Sequence, residues 1–193
     1  MSDTLEFVVV GLNSIGRTLA GLFSVSNLGT VTLIDDKKVS AKCLASGYLE
    51  IDIGQYRTDA TADAIKEINP QAKINKLMRL DESVIQTLTS KISGNTVMLC
   101  CDSMSDKSRL HICTEMRNAC LAIYFFGFDE DGSDCSITRI VPGNDNLEKT
   151  LENIPAGKES LEKGRFAAAK AFASTVFLQK LEDTSSNFSL EKT

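Results

Sequence analysis

The sequence has no tryptophan, a single histidine and no C-x-x-C pair among its six cysteines. A structural zinc site is built from cysteine and histidine ligands at short, regular spacings, so these absences indicate that the chain carries no zinc motif. The adjacent residues Cys100 and Cys101 lie inside an apolar run that is typical of a buried strand. We therefore interpret the cysteines as free thiols that pack as small apolar side chains.

Long apolar runs and clusters of positive charge are also missing. No segment approaches the roughly 18 consecutive apolar residues of a membrane span, and the first residues, MSDTLEF, lack the pattern of a secretory signal. The net charge is −5, with acidic and basic residues mixed along the chain, which leaves no basic surface for a phosphate backbone. These absences predict a cytoplasmic or nuclear protein that binds neither membranes nor nucleic acids.

Apolar runs alternate with helical patterns along most of the 193 residues. The periodicity predicts strands at residues 5–10, 30–34, 73–77, 96–101, 121–126 and 134–141, and helices at 15–23, 58–68, 82–91, 105–118 and 160–182. Residues 36–57 and 142–158 are predicted loops. The stretch DEDG has the character of a hairpin turn, so the last two strands are expected to be antiparallel.

This order of elements predicts the α/β class, with a doubly wound, Rossmann-like and mostly parallel sheet that carries an antiparallel extension near its C-terminal end. The length favours one domain, which we place at residues 1–183, followed by a flexible tail at 184–193.

The first strand runs into a glycine-containing turn, VVVGLNSIG, at residues 8–16. Gly11 and Gly16 are spaced as in a dinucleotide-binding loop, but Asn13 stands where such a loop has its second glycine. Asp35 and Asp102 each follow a predicted strand, where a carboxylate can accept hydrogen bonds from ribose or ligate a metal ion. These five residues predict a nucleotide site. The alternatives are that the glycines only let strand and helix pack, and that Asp102 caps a helix.

Three segments matched in order and spacing carry a family resemblance. They are VVVGLNSIGRTLAGLFSVSNLGTVTLIDDKKVS, LEIDIGQYRTDATADAIKEINPQAKI and VMLCCDSMSDKSRLHICTEMRNACLAIYFFGF, and together they span residues 8–128. They resemble the adenylation domain of the E1-like enzymes of the ThiF and MoeB type, which activate ubiquitin-like and sulfur-carrier proteins. The resemblance implies binding of ATP with magnesium. It also implies attack on the α-phosphate by the C-terminal carboxylate of a small β-grasp protein, with release of pyrophosphate.

The resemblance assigns roles to three residues. Asp35 matches the acid that binds the ribose, and Asp102 matches the aspartate that holds magnesium. Arg57 stands where the family has a lysine that contacts the phosphates. Asp102 and Arg57 are therefore the expected catalytic residues. Gly11, Asn13, Gly16, Asp35, Lys37 and Lys42 are the expected nucleotide-binding residues.

The chain also departs from the family pattern. Where the family reads D-x-D-x-V-x-x-S-N-L-x-R-Q, this chain reads DDKKVSAKCLASGYL, so Cys43 and Ser46 replace the asparagine and arginine that grip the triphosphate. Ser103 replaces the asparagine after Asp102, and the arginine that follows could be Lys107 or Arg109. No cysteine can be placed as a thioester nucleophile. This erosion resembles the non-catalytic subunit of heterodimeric E1 enzymes and implies a homodimer or a heterodimer with a related chain.

Two further functions remain open at this stage. The chain could be a compact, active adenylyltransferase in which Arg57, Lys37, Lys38 and Lys42 replace the lost groups, since lysine binds phosphate as a point charge. Against this, charged loops are commonly only solvated. An NAD-linked oxidoreductase is the third class, but it explains neither the DIG stretch nor the strand that ends in Asp102.

Overall fold

The computed structural model describes residues 5–25, 29–92, 94–102, 104–128, 135–143, 147–152 and 154. Its strands are β1 (Leu5–Val10), β2 (Gly29–Ile34), β3 (Lys73–Leu77), β4 (Thr96–Cys100), β5 (Ala122–Phe128) and β6 (Cys135–Ile140). Its α-helices are α1 (Ser14–Val25), α2 (Arg57–Ile68), α3 (Glu82–Lys91), α4 (Asp106–Met116) and α5 (Leu147–Glu152).

The six strands form one sheet in the order β3-β2-β1-β4-β5-β6. The first five are parallel to their neighbours, and β5 pairs with β6 in the antiparallel sense, with Ile123 opposite Ile140. The predicted doubly wound α/β sheet with an antiparallel extension is thereby confirmed. Because β1 lies between β2 and β4, the chain reverses its direction of winding there, and such a reversal opens a crevice at the carboxyl ends of the strands.

Two apolar clusters cover the two faces of this sheet. One cluster combines β1 with α1 and α2, and in it the rings of Phe7 and Phe23 stack with their centroids 4.0 Å apart. The other combines β4 and β5 with α3, α4 and α5 and includes the fully buried Met98 and Met116. Strands β1 and β4 are buried along almost their whole length, as expected for central strands covered by helices on both faces.

The structure refines two predicted loops. Residues 36–57 contain two short 3-10 helices, Ala41–Ser46 and Glu50–Asp52, and a bridge between Lys38 and Tyr56. The prediction of a crossing loop at 142–158 was wrong in one respect, because this segment contains the short helix α5. The apolar residues Leu147 and Leu151 of this helix pack into the second cluster.

The predicted helix at 160–182, the boundary at residue 183 and the tail at 184–193 lie outside the described residues. Within the described part of the chain, no helix combines the length and apolar character that a membrane crossing requires. Five cysteines whose side chains the structure describes are buried free thiols, as predicted for their packing role: Cys43, Cys100, Cys101, Cys113 and Cys120.

Candidate functional site

The carboxyl ends of β1, β2 and β4 enclose a cavity of about 220 Å³. Its lining consists of Val10, Gly11, Ile34, Asp35, Asp36, Arg79, Leu80, Asp102, Met104, Ser108 and Ile112. The structure therefore brings Gly11, Asp35 and Asp102 together, as their positions after adjacent parallel strands require. Lys42 is exposed on the first 3-10 helix and is not among the lining residues.

Both glycines of the first turn are required by close contacts. Gly11 has a φ of +86°, and a Cβ there would lie 2.5 Å from the Cβ of Asp102. A Cβ on Gly16 would lie 1.9 Å from the carbonyl oxygen of Gly11. Only glycine fits either position without a shift of the backbone. The glycines thus allow the turn, α1 and the end of β4 to pack, as the structural alternative predicted.

Asn13 begins α1 and ties it to the central strands. Its Oδ1 accepts a hydrogen bond from Gly16 N at 3.0 Å, which is the N-cap interaction, and its Nδ2 donates to the carbonyl oxygen of Cys101 at 2.6 Å. The side chain therefore occupies an N–H group that the first turn of a helix otherwise offers to an anion. Asn13 departs from the glycine pattern of a dinucleotide-binding loop, but its side chain makes two structural hydrogen bonds that a glycine could not make.

Asp35 is buried, with its side chain only 2% exposed. Its Oδ2 accepts a hydrogen bond from Leu12 N at 2.7 Å, and its Oδ1 accepts one from Lys37 N at 2.7 Å. The guanidinium of Arg57 lies 3.6 Å away from Oδ2. This carboxylate therefore joins the first turn, the segment after β2 and the start of α2.

Arg57 is the first residue of α2, and its guanidinium lies between Asp35 and Cys43. Nη2 donates a hydrogen bond to the Sγ of Cys43 at 3.3 Å. Burial lowers the pKa of Arg57, but the hydrogen bond to Cys43 and the charge of Asp35 outweigh it and leave the pKa raised. Burial likewise raises the pKa of the Cys43 thiol, but hydrogen bonds from Ser40 and Arg57 outweigh that effect and leave it lowered. Arg57 is therefore held as a cation at the edge of the site.

Lys37 follows β2 and contacts the residue after β4 that comes before α4, although it is not itself among the residues that line the cavity. Its Nζ lies 2.5 Å from the Oδ2 of Asp102, and both side chains are partly exposed, at 49% and 36%. Lys38, the next residue, places its ammonium over the ring of Tyr56, 5.1 Å from the centroid. Lys37 and Lys38 were both predicted to contact phosphate, and each instead interacts with another side chain of the protein.

The helix cap predicted as an alternative for Asp102 was wrong. Helix α4 begins at Asp106, and its N-cap is Ser105, whose Oγ accepts a hydrogen bond from Ser108 N at 3.2 Å. Asp102 lies before this cap, against Gly11 and Lys37.

Arg109, one of the two candidates for the family arginine, is buried and donates to the carbonyl oxygen of Ile154 at 3.1 Å. Ser103 lies outside the described residues.

The resemblance implies magnesium at Asp102, and the residues as placed do not fit it. Magnesium is held by oxygen ligands in octahedral geometry, mostly carboxylates, phosphates and water. The Oδ2 of Asp102 instead faces an ammonium group. In the described part of the chain, no group of three or more histidine, cysteine or acidic side chains could hold a metal ion.

Sequence reasoning missed Tyr48 and Arg79. The hydroxyl of Tyr48 donates to the carbonyl oxygen of Leu12 at 2.8 Å and anchors the loop after β2 to the first turn. Burial raises the pKa of Tyr48 to about 12. Arg79 follows β3 and lines the cavity, with its Nε 3.4 Å from an oxygen of Asp81. The sequence features that could have identified these two residues were a tyrosine inside a polar loop and an arginine shortly after a strand.

Comparison with known proteins gives relatives that match part of the chain. The chain is 28% identical over 87 residues to the DNA damage tolerance protein RHC31 of Saccharomyces cerevisiae, covering 42% of this chain and 25% of that protein. It is 28% identical over 90 residues to the ubiquitin-activating enzyme E1 1 of Candida albicans, covering 46% of this chain and 9% of that enzyme. The match thus spans a quarter or less of these relatives.

Solved structures show the same fold. Escherichia coli MccB bound to MccA-N7isoASN superposes with a TM-score of 0.67 at 15% identity, covering 90% of this chain and 56% of MccB. The E. coli tRNA N6-threonylcarbamoyladenosine dehydratase TcdA, in complex with AMP, gives a TM-score of 0.54 at 17% identity, covering 68% of this chain and 54% of TcdA. The chain spans about half the length of these structures.

A family profile provides the assignment. The profile described as the ThiF family matches residues 3–176, which include the first turn, the long loop after β2 and the aspartate after β4. On this match, which covers most of the chain and agrees with the Rossmann-like sheet, the chain belongs to the ThiF family.

Proposed function

We propose that this chain is a degenerate E1-like protein that supports ATP-dependent activation of a small β-grasp protein by binding a related, adenylating chain. The observation that carries the proposal is the state of its nucleotide site. Asp35 accepts two backbone N–H groups at 2.7 Å, and Lys37 faces Asp102. Asn13 caps the helix whose N-terminus points at the site. The two carboxylates that the resemblance assigns to the ribose and to the metal are thus both engaged by groups of the protein itself.

The loss of transition-state stabilisation can be estimated from the binding groups that the family has and this chain lacks, as the resemblance implies. A charge-assisted hydrogen bond to phosphate contributes about 1.5–3 kcal/mol. Removing a preorganised donor that acts in the transition state costs about 2.7–4 kcal/mol. Cys43, Ser46 and Ser103 replace three such donors. The remaining rate enhancement is therefore too small for adenylation by this chain alone.

We expect the isolated chain to give no ATP–pyrophosphate exchange above background with any member of a panel of β-grasp proteins. The measurement follows incorporation of labelled pyrophosphate into ATP, with an active adenylating relative as the positive control. Robust exchange by the isolated chain would contradict the proposal. That result would favour the alternative, a compact adenylyltransferase in which Arg57 and nearby lysines serve the phosphates.

The surface that would meet the partner is an exposed apolar loop, which we call the 49–53 loop. Leu49, Ile51 and Ile53 are 59%, 80% and 47% exposed, and Glu50 and Asp52 lie between them. Such contiguous apolar exposure marks interaction sites in soluble proteins. The loop is continuous with the site, because Val39 N donates to the carbonyl oxygen of Gln55 at 2.9 Å just inside Lys37 and Arg57. A chain docked here reaches the edge of the eroded site, where the missing adenylating groups are needed.

We expect Ile51→Asp to weaken association with the related adenylating chain of the same genome by at least about tenfold, because a carboxylate would be buried in the interface. Light scattering after size exclusion gives the stoichiometry, and calorimetric titration gives the affinity. Leu121→Asp is the matched control, since Leu121 is also an exposed apolar residue but directly precedes β5, at the amino ends of the strands. Equal effects of the two substitutions, or association only with a second copy or with the β-grasp protein, would argue against this surface.

A cytoplasmic or nuclear location is part of the same proposal. The five cysteines with described side chains are free and buried, which is typical of proteins from reducing compartments.

A further inference from the structure

The ammonium of Lys37 contacts Asp102, the residue to which the resemblance assigns the metal ion. We propose that Lys37 is a built-in substitute for this metal, so that the cavity accepts an adenosine phosphate free of divalent metal. This inference rests on the proposed function, because it names the form of nucleotide that the eroded site still takes.

The backbone of Lys37 is fixed on both sides, which places the ammonium in advance. Its N–H donates to the Oδ1 of Asp35 at 2.7 Å, and its carbonyl oxygen accepts from Arg57 N at 3.0 Å. From this anchored position, Nζ reaches the Oδ2 of Asp102 at 2.5 Å. The pairing joins residues 65 positions apart in the sequence. It bridges the segments that follow β2 and β4, beside the cavity that Asp35 and Asp102 line.

Two of the three carboxylates that line the cavity are already paired with cations. Asp35, Asp36 and Asp102 line its walls, and the cations Lys37 and Arg57 lie on Asp102 and Asp35 at 2.5 and 3.6 Å. A divalent cation could reach the Oδ2 of Asp102 only by displacing the ammonium of Lys37. In the pattern D-x-D-x-V, Lys37 stands at the second aspartate, so the charge next to Asp102 is reversed.

A nucleotide would meet cations instead of a metal. The ammonium of Lys37 has three donors, of which the 2.5 Å contact to Asp102 uses one. The side chain of Lys37 is 49% exposed and touches the lining residue Asp102, so its other donors can reach a phosphate oxygen beside that residue. Lysine binds phosphate as a point charge and needs no fixed geometry to do so. The same group can therefore neutralise Asp102 and attract the phosphates.

We expect the affinity of the wild-type chain for a fluorescent ATP analogue to differ by less than about threefold between excess EDTA and excess magnesium. In Lys37→Met, magnesium should raise the affinity by about tenfold or more, because Asp102 becomes available to the ion. The double variant Lys37→Met/Asp102→Asn should lose this gain. Lys91→Met is the matched control, because it removes an exposed lysine at the end of α3 and should behave as wild type.

Two results would overturn the inference. One is a tenfold or larger gain in affinity on adding magnesium to the wild-type chain, and the other is no binding of the analogue in either condition. Both leave the proposed function intact, because it depends on the absence of ATP–pyrophosphate exchange and on the partner. Robust exchange would instead contradict the proposed function, whatever the metal dependence of binding.

Discussion

Replacing Asp35 with alanine is expected to lower the free energy of unfolding by about 3–5 kcal/mol, the cost typical of removing one partner from a buried charged pair. The carboxylate is 2% exposed and accepts hydrogen bonds from Leu12 N and Lys37 N, both at 2.7 Å. Alanine would leave both donors without their acceptor and would leave Arg57, 3.6 Å away, without its counter-ion. Unsatisfied buried donors cost about 1–3 kcal/mol each, which agrees with the same range.

Urea unfolding followed by circular dichroism measures this loss. Asp36→Ala is the matched control, because Asp36 is the neighbouring acid but is exposed, and substitutions of that kind change stability by about 0.5 kcal/mol or less. If Asp35→Ala were as stable as Asp36→Ala, the structural network around Asp35 would be wrong. Ribose recognition would then be the better account of this carboxylate.

Local patterns were sufficient to predict the architecture. The apolar run at 5–10, the turn and the helical spacing after it gave β1 and α1 almost to the residue. Adjacent parallel strands put their carboxyl ends at one edge, so Gly11, Asp35 and Asp102 were expected to meet, and they do. The short helix α5 was missed because six residues are too few to establish a helical period.

The chemistry of the site could not be predicted in the same way, because it depends on pairings between distant residues. Asn13 and Cys101 are 88 positions apart, and the hydrogen bond between them makes Asn13 a cap and a tether. Lys37 meets Asp102 only because the ends of β2 and β4 flank the same crevice. A single sequence shows that Lys37 lies in the loop after β2, but not the direction in which its ammonium points.

The second large effect is expected at Gly16, where alanine should lower the free energy of unfolding by about 3 kcal/mol, at the upper end of overpacking costs. The added Cβ would lie 1.9 Å from the carbonyl oxygen of Gly11 and 3.3 Å from the Cβ of Cys101. Both neighbours belong to the centre of the sheet and its first turn, so α1 must move away from them as a body. That movement would break the cap from Asn13 to Gly16 N.

Gly21→Ala is the matched control in the same helix. No atom lies within 4 Å of a Cβ at Gly21, so alanine there should stabilise the chain by about 0.5–1 kcal/mol through helix propensity. The two variants make the same chemical change five residues apart and are expected to shift the urea midpoint in opposite directions. A shift in the same direction would mean that α1 does not pack against the first turn as closely as the contact of Gly16 with Gly11 requires. Opposite shifts would show that the glycine spacing of the first turn is required for packing, with or without a nucleotide.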